Sequence, residues 1–509
     1  MAPIDTINHR HNMKRPALGL NGSGRALELS WLVAGCLVVL GAVLLKFAAP
    51  AFRYEADVID MPVVALSGAL VAAGVLFCIA VPWLIQKSDR GPAPKSSRAL
   101  ITVLIAGTAA RLVLMTAEPV LEVDFYRYLW DGAATSQGLN PYTQTPKAVM
   151  AGKAPPEYIK LAEDTDTVLK RVNHKDVTSI YPPVAQAVFA LAHMLKPWSL
   201  TSWRLVLLAF DLATVALLIA GLDRMHRSRL WIALYWWNPV VLKELFNSAH
   251  LEPLIFPFLL AALLYANARK PIAASTALGF AAGVKFWPAL LLPLILRACG
   301  GQAWRLAAAL AVFGALMGLW IWPMVMAGLS DQSGLVAYAS SWKRNGPLFA
   351  LIDGSFQAAN GIFGFNSAPN VSRAARATVA AVAGLAAVAC AIKPIRDFKD
   401  LAGRALIVTA AIVLLSPSVY PWYTLWFVPL LVWRPVPGLI LVSATIPLYY
   451  LFFHFAARES TQLFHDFVPW FIWLPPFALL LWQAARRAGL GTSADDLRGQ
   501  ATSDAMYDA

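Results

Sequence analysis

The stretch EVDFYRYLWDGAATSQGLNPY, residues 122–142, decides how this chain is read. Four charged residues (Glu122, Asp124, Arg127 and Asp131) stand among aromatics, hydroxyls and amides, directly after a hydrophobic run. Ionisable groups held close to a bilayer are expensive, so such a cluster reads as a functional site by default. The plain alternative is an amphipathic interfacial helix with aromatics at the headgroups and charges in water. That reading leaves the Asp-x-x-Arg-x-x-x-Asp spacing without a reason.

Outward from this stretch the chain is almost entirely hydrophobic runs. Of its 509 residues 58% are hydrophobic and 14% charged, against about 45–50% and about 25% in soluble domains. The fold class that follows is an all-α polytopic membrane protein. The net charge of +13 is scattered between the apolar runs, which is the pattern of topology signals and not of a phosphate-tracking groove, so no nucleic-acid partner is expected. Cys36, Cys78, Cys299 and Cys390 lie in or beside apolar spans with no CxxC pair, suggesting neither a disulfide framework nor a zinc site. The N-terminal segment is polar, long and basic and the first apolar run is of membrane length, which argues against a cleavable signal peptide.

The apolar runs begin at 30–48 and end at 469–485, and loop charge arranges them. Clusters such as Lys87/Arg90/Lys95/Arg98, Arg224/Arg227/Arg229 and Lys393/Arg396/Lys399/Arg404 should share the cytoplasmic side. They do so if 182–195 dips in without crossing and 272–296 forms two short helices meeting at Lys285. The expectation is a bundle of about fourteen crossings over 29–487, with polar cytoplasmic tails at 1–28 and 488–509. The loop 118–181, the turn 238–252, Lys285, the loop 323–374, the SPSVYPWY turn and the loop 454–468 then all face outward.

DFYRYLWDG followed by GLNPY, and then VNHKDVTSIYPPVAQAVFALA, resembles bacterial members of the C-type glycosyltransferase superfamily. The likeness is nearest to the polyprenol-phosphate-mannose-dependent mannosyltransferases of glycosyltransferase family 87. It is strong over about 120–190 and looser through WWNPVVLKELFNSAHLEP and GFAAGVKFWPALLLP. The superfamily usually places its acidic loop after the first span, whereas two further spans precede it here. The resemblance implies a helical bundle with a large external first loop, in a bacterial inner membrane with the active site facing the periplasm. It further implies a polyprenyl-phosphate-linked sugar donor, mannose by resemblance only, and a glycan or glycolipid acceptor. Asp124 then corresponds to the presumed base, and Asn173-His174 and Tyr181-Pro182-Pro183 resemble positions that close the loop over the site.

The residue chemistry suits the same reaction. A lipid phosphate is a good leaving group, so transfer needs a base for the acceptor hydroxyl and positive charge for the departing phosphate. Asp131 is the alternative base, or else a turn residue before Gly132. Arg127 is placed to orient Asp124, to contact the donor phosphate, or to form a structural salt bridge. Lys285 at a helix break reads as a phosphate ligand or as a snorkelling residue. Glu244, Asn247, His250 and Glu252 cluster where two helices meet, suited to acceptor hydroxyls, although Lys243–Glu244 equally suits an ion pair. His250 and Glu252 with Asp124 could ligate a divalent ion, yet there is no HExxH motif and no essential metal or other cofactor is expected. The rival class is a flippase or transporter of lipid-linked glycans. Transporters tend to pair broken helices in two repeats, and the break at Lys285 has no convincing partner in the second half.

Overall fold

The computed structural model describes residues 22–90, 97–165, 167–364 and 368–488; the expected tails lie almost wholly outside them. Among the described residues the chain is helical throughout, apart from an isolated parallel bridge between Arg344 and Ser418. Two long helices, α1 (Gly22–Ala48) and α2 (Val63–Arg90), precede α3 (Ser97–Met115), which packs along α1. The charged stretch that opened the sequence reading is α4 (Asp124–Ser136), and it lies against α5 (Pro183–Leu195). Long spans follow at α6 (Leu200–Arg224), α7 (Ala303–Met326) and α8 (Ala368–Ile392), and the described chain closes on α9 (Thr461–Arg487).

The contact of α4 with α5 explains Gly132. A Cβ there would stand 2.5 Å from the carbonyl oxygen of Phe189, so only glycine lets the two backbones approach this closely. Asp131 and Gly132 sit inside the helix and not at a turn.

Among the described residues eight helices are long and apolar enough to cross a bilayer, or nine if the bent pair Pro239–Asn247 and Glu252–Asn267 is one span. The expected count of about fourteen is not reached by this measure. Asn238-Pro239 divides the run 229–246, and Pro421 and Pro429 divide 422–433 into the short helices Pro421–Trp426 and Val428–Trp433. The run 404–417 belongs to Phe398–Leu415, whose first turns carry Lys399, Asp400 and Arg404. Most side chains of 229–266 and 423–433 are buried in protein, where broken helices are tolerated at membrane depth.

The run 272–296 is broken at Lys285 as expected, and the run 182–195 is a helix shorter than a span. Residues 183–195 form one short helix, and Pro271–Val284 and Trp287–Leu291 are separated at Lys285, which has extended backbone. The bent pair turns through 102° between Asn247 and Glu252, and its last turn before the bend, Leu242–Asn247, is π-helical.

Candidate active site

A cavity of about 940 Å³ gathers the loop 118–127, residues 171–182, the break at Lys285, residues from the 323–374 loop, and the SPSVYPWY turn. Arg53 to Met61, between α1 and α2, supply part of its rim. The first loop and the 323–374 loop are fastened together over it. The backbone N–H of Thr178 donates to the Gln332 carbonyl at 2.9 Å, and His174 packs its ring on Trp342 at 4.3 Å.

Asp124 is the first residue of α4, where the helix dipole favours negative charge. Two neighbours hold it. Asn173 donates its side-chain amide to Asp124 Oδ1. Glu122 turns back to accept the N–H groups of Val123 and Asp124 through Oε1, at 2.8 and 2.7 Å, and so caps α4. Burial, and next the charge of Glu122, push the Asp124 carboxyl up to about 7 against the pull of His250, Asn173 and Lys285. Burial works against charge on Glu122 as well, but His250 and Lys243 together hold that carboxyl below its ordinary value.

His250 lies in the bend and is fully buried. Its Nε2 is 2.9 Å from Glu122 Oε2 and 3.3 Å from Glu244 Oε2, and its Nδ1 is 4.0 Å from Asp124 Oδ2. Trp422 stacks on the ring at 3.9 Å and presents its other neighbour, Tyr420, along the cavity wall. Glu244 accepts from the Tyr450 hydroxyl and lies 3.4 Å from Lys243 Nζ, which also donates to Ser248 at 2.8 Å. Asn247 accepts the N–H of Val120 at 3.0 Å and donates to the Glu118 carbonyl at 2.8 Å, fixing the chain just before α4. Arg204 adds bonds to the carbonyls of Met115, Ala117 and Asn247. Glu252 pairs with Lys285, whose ammonium lies over the rings of Tyr423 and Trp426 at 5.1 and 5.5 Å.

The predicted residues therefore separate into two shells. Asp124, Arg127, His174, Tyr181 and Lys285 line the cavity, while Glu244, Asn247, His250 and Glu252 stand fully buried behind it. Arg127 donates one guanidinium nitrogen to the carbonyls of Asn173, His174 and Val177, which draws that loop over the cavity. The carbonyl of Tyr181 accepts from Tyr142 at 2.8 Å, and its ring stands edge-on to Tyr128. Asp131 is away from the cavity lining; it accepts from Ser179 and Gln186, and burial pushes its carboxyl up.

Sequence reading gave no role to Glu122, Trp422 or Arg344. The Glu-x-Asp spacing at 122–124 was a signal for the first; nothing local marks the other two. Glu122, Asp124 and His250 also offer ligand atoms within 4.8 Å of one another. Two carboxylates and an imidazole are a donor set that suits a divalent ion.

A helical membrane protein whose buried carboxylates and aromatic wall enclose one large cavity is the class this geometry defines. Residues 29–301, more than half of the chain, match the MptA_B family, described as alpha-(1->6)-mannopyranosyltransferase, N-terminal domain, and the chain belongs to that family. It is thus a membrane glycosyltransferase of a mannosyl-transferring family, within the polyprenol-phosphate-mannose-dependent group that the sequence resembles. No curated relative and no solved structure matches it.

Proposed function

We propose that the protein transfers a mannosyl residue from a polyprenyl-phosphate donor to a glycan or glycolipid acceptor, at the external face of a bacterial inner membrane. The observation that carries this reading is Asp124 on the cavity wall, with a carboxyl pushed up to about 7. A base whose pKa lies near the working pH is suited to taking a hydroxyl proton. The acceptor oxygen attacks the anomeric carbon, its proton passes to Asp124, and the carbon–phosphate-oxygen bond breaks with its electron pair on the lipid phosphate. Direct displacement of this kind inverts the anomeric centre.

Asn173 and Glu122 orient the base, and His250 supports Glu122 from behind. Lys285, paired with Glu252, lines the cavity beside Tyr423 and Trp426. Arg127 serves by tying down the 173–177 loop, and Asp131 by holding α4 against Ser179 and Gln186. The distribution of basic clusters supports cytoplasmic termini and an outward-facing cavity.

The test is purified protein in nanodiscs with a panel of polyprenyl-phosphate sugars and a glycan acceptor, read by product mass. A mannosylated acceptor is expected with the polyprenyl-phosphate mannose donor. Transport of an intact lipid-linked glycan with no product from any donor would overturn the reading.

A further inference from the structure

Five cations line the cavity: Arg53, Arg127, Arg171, Lys285 and Arg344. Four are committed to protein oxygens. Arg53 lies 3.4 Å from Glu118, Arg171 pairs with Glu55, Lys285 pairs with Glu252, and Arg127 donates to the 173–177 carbonyls. Arg344 is different. Among the described residues no carboxylate pairs with its guanidinium, which lies 3.9 Å over the ring of Phe452 beside the Tyr449 hydroxyl.

Its backbone is nonetheless fixed on both sides. The N–H of Arg344 donates to Pro417 at 2.9 Å, and its carbonyl accepts from Val419 at 2.7 Å. Asn345, held at φ +56°, donates to the Val419 carbonyl at 3.0 Å and receives the indole N–H of Trp473 at 3.1 Å. A cation so anchored, without a counter-charge and facing a cavity, is prepared for an anion from outside the protein. A guanidinium offers two parallel donors that match phosphate oxygens, and an aromatic face below it steadies the fork.

The wall places this cation relative to the base. From Asp124 the contacts run through His250 to Trp422 (3.9 Å), Tyr420 (4.7 Å), Tyr449 (5.9 Å) and Phe452 (6.4 Å), under Arg344. Base and guanidinium are thus joined by a run of aromatic side chains, of which Trp422, Tyr420, Tyr449 and Phe452 line the cavity, the kind of face against which a sugar ring packs.

We propose that Arg344 is the principal ligand of the donor's phosphate, gripping the lipid phosphate in the bound donor and the charge that gathers on it as the glycosidic bond breaks. The proposal rests on the function proposed above. The experiment measures binding of sugar-free polyprenyl phosphate to the protein in nanodiscs, with uncharged polyprenol and inorganic phosphate as controls, alongside turnover of polyprenyl-phosphate mannose. Arg344→Met should weaken polyprenyl-phosphate binding about ten- to a hundredfold and leave polyprenol binding unchanged. Arg344→Lys, which keeps charge but loses the fork, should fall between. If Arg344→Met does not fold, Arg344→Gln carries the same expectation. Wild-type affinity in these variants, with the wild type active, would overturn the role of Arg344 alone. Equal competition by inorganic phosphate would show a general anion site and would also overturn it. A wild type that neither binds polyprenyl phosphate nor turns over its mannoside removes the functional reading, and this proposal with it.

Discussion

Glu122 joins two parts of the molecule that are far apart in sequence: one carboxylate oxygen caps the first turn of α4, and the other lies 2.9 Å from His250 in the bend of the broken helix. The position of Asp124 is therefore set from the bend as well as from its own helix. Asn247 and Arg204 reinforce the same junction by fixing residues 115–120.

Asp124→Asn should abolish turnover while donor binding survives. The amide is nearly isosteric and cannot accept the proton, and general-base catalysis contributes about 10²–10⁴-fold. Asp131→Asn should leave the single-turnover rate within a few-fold of wild type and lower the melting temperature, since that carboxylate serves Ser179 and Gln186. The reverse pattern in single-turnover rates would make Asp131 the base.

The pH dependence follows from the raised Asp124 carboxyl. kcat/KM should rise with pH through about 7 and level off above it, because only the ionised form takes a proton. Stability should move in the opposite sense. A carboxyl raised on folding penalises the folded state increasingly from its unfolded pKa of about 3.9 upward, and the penalty stops growing above about 7. The melting temperature of Asp124→Asn minus that of wild type should therefore grow between these two values and then hold steady. A difference independent of pH would show that Asp124 has an ordinary carboxyl.

Lys285→Met removes the partner of Glu252, which is fully buried. Breaking a buried pair on one side typically costs about 3–5 kcal/mol, so this variant should be markedly destabilised. Lys285→Met combined with Glu252→Gln should recover much of that stability and expose the ligand-binding effect alone. If the double variant binds donor as wild type does, Lys285 serves the fold and not the phosphate.

Sidedness is tested by impermeant thiol labelling of intact cells in a background lacking the four native cysteines. Thr143→Cys, at an exposed position of the first loop, should label from outside, and Lys393→Cys, exposed at the far end of α8, should not. The opposite result would turn the cavity toward the cytoplasm.

Much of the fold was legible because hydropathy and proline act locally. The break at Lys285 and the short helix at 183–195 could be read from run length. The crossing count could not, since Pro239, Pro421 and Pro429 convert apolar runs into short buried helices whose enclosure depends on neighbours distant in sequence. At the site, Asp124 stood out through its motif and Lys285 through its cost in the membrane. Glu244, Asn247, His250 and Glu252 could be placed at the bend from the sequence, but their burial behind the cavity depends on how the bend packs under α4 and Trp422. Arg344 carried no local mark at all. Its significance lies in a missing counter-charge, which only the assembled cavity reveals.

The cavity is a joint product of two halves of the chain. The family match ends at residue 301 and contains Asp124, its neighbour Glu122 and the bend, whereas Tyr420, Trp422 and Arg344 come from beyond it. The two halves are therefore tied together at the site, since Trp422 from the second half stacks at 3.9 Å on His250 in the first. A chimera keeping residues up to 301 and exchanging the remainder would replace Trp422 and Arg344 together, so a new second half must rebuild the packing on His250 as well as the cavity wall.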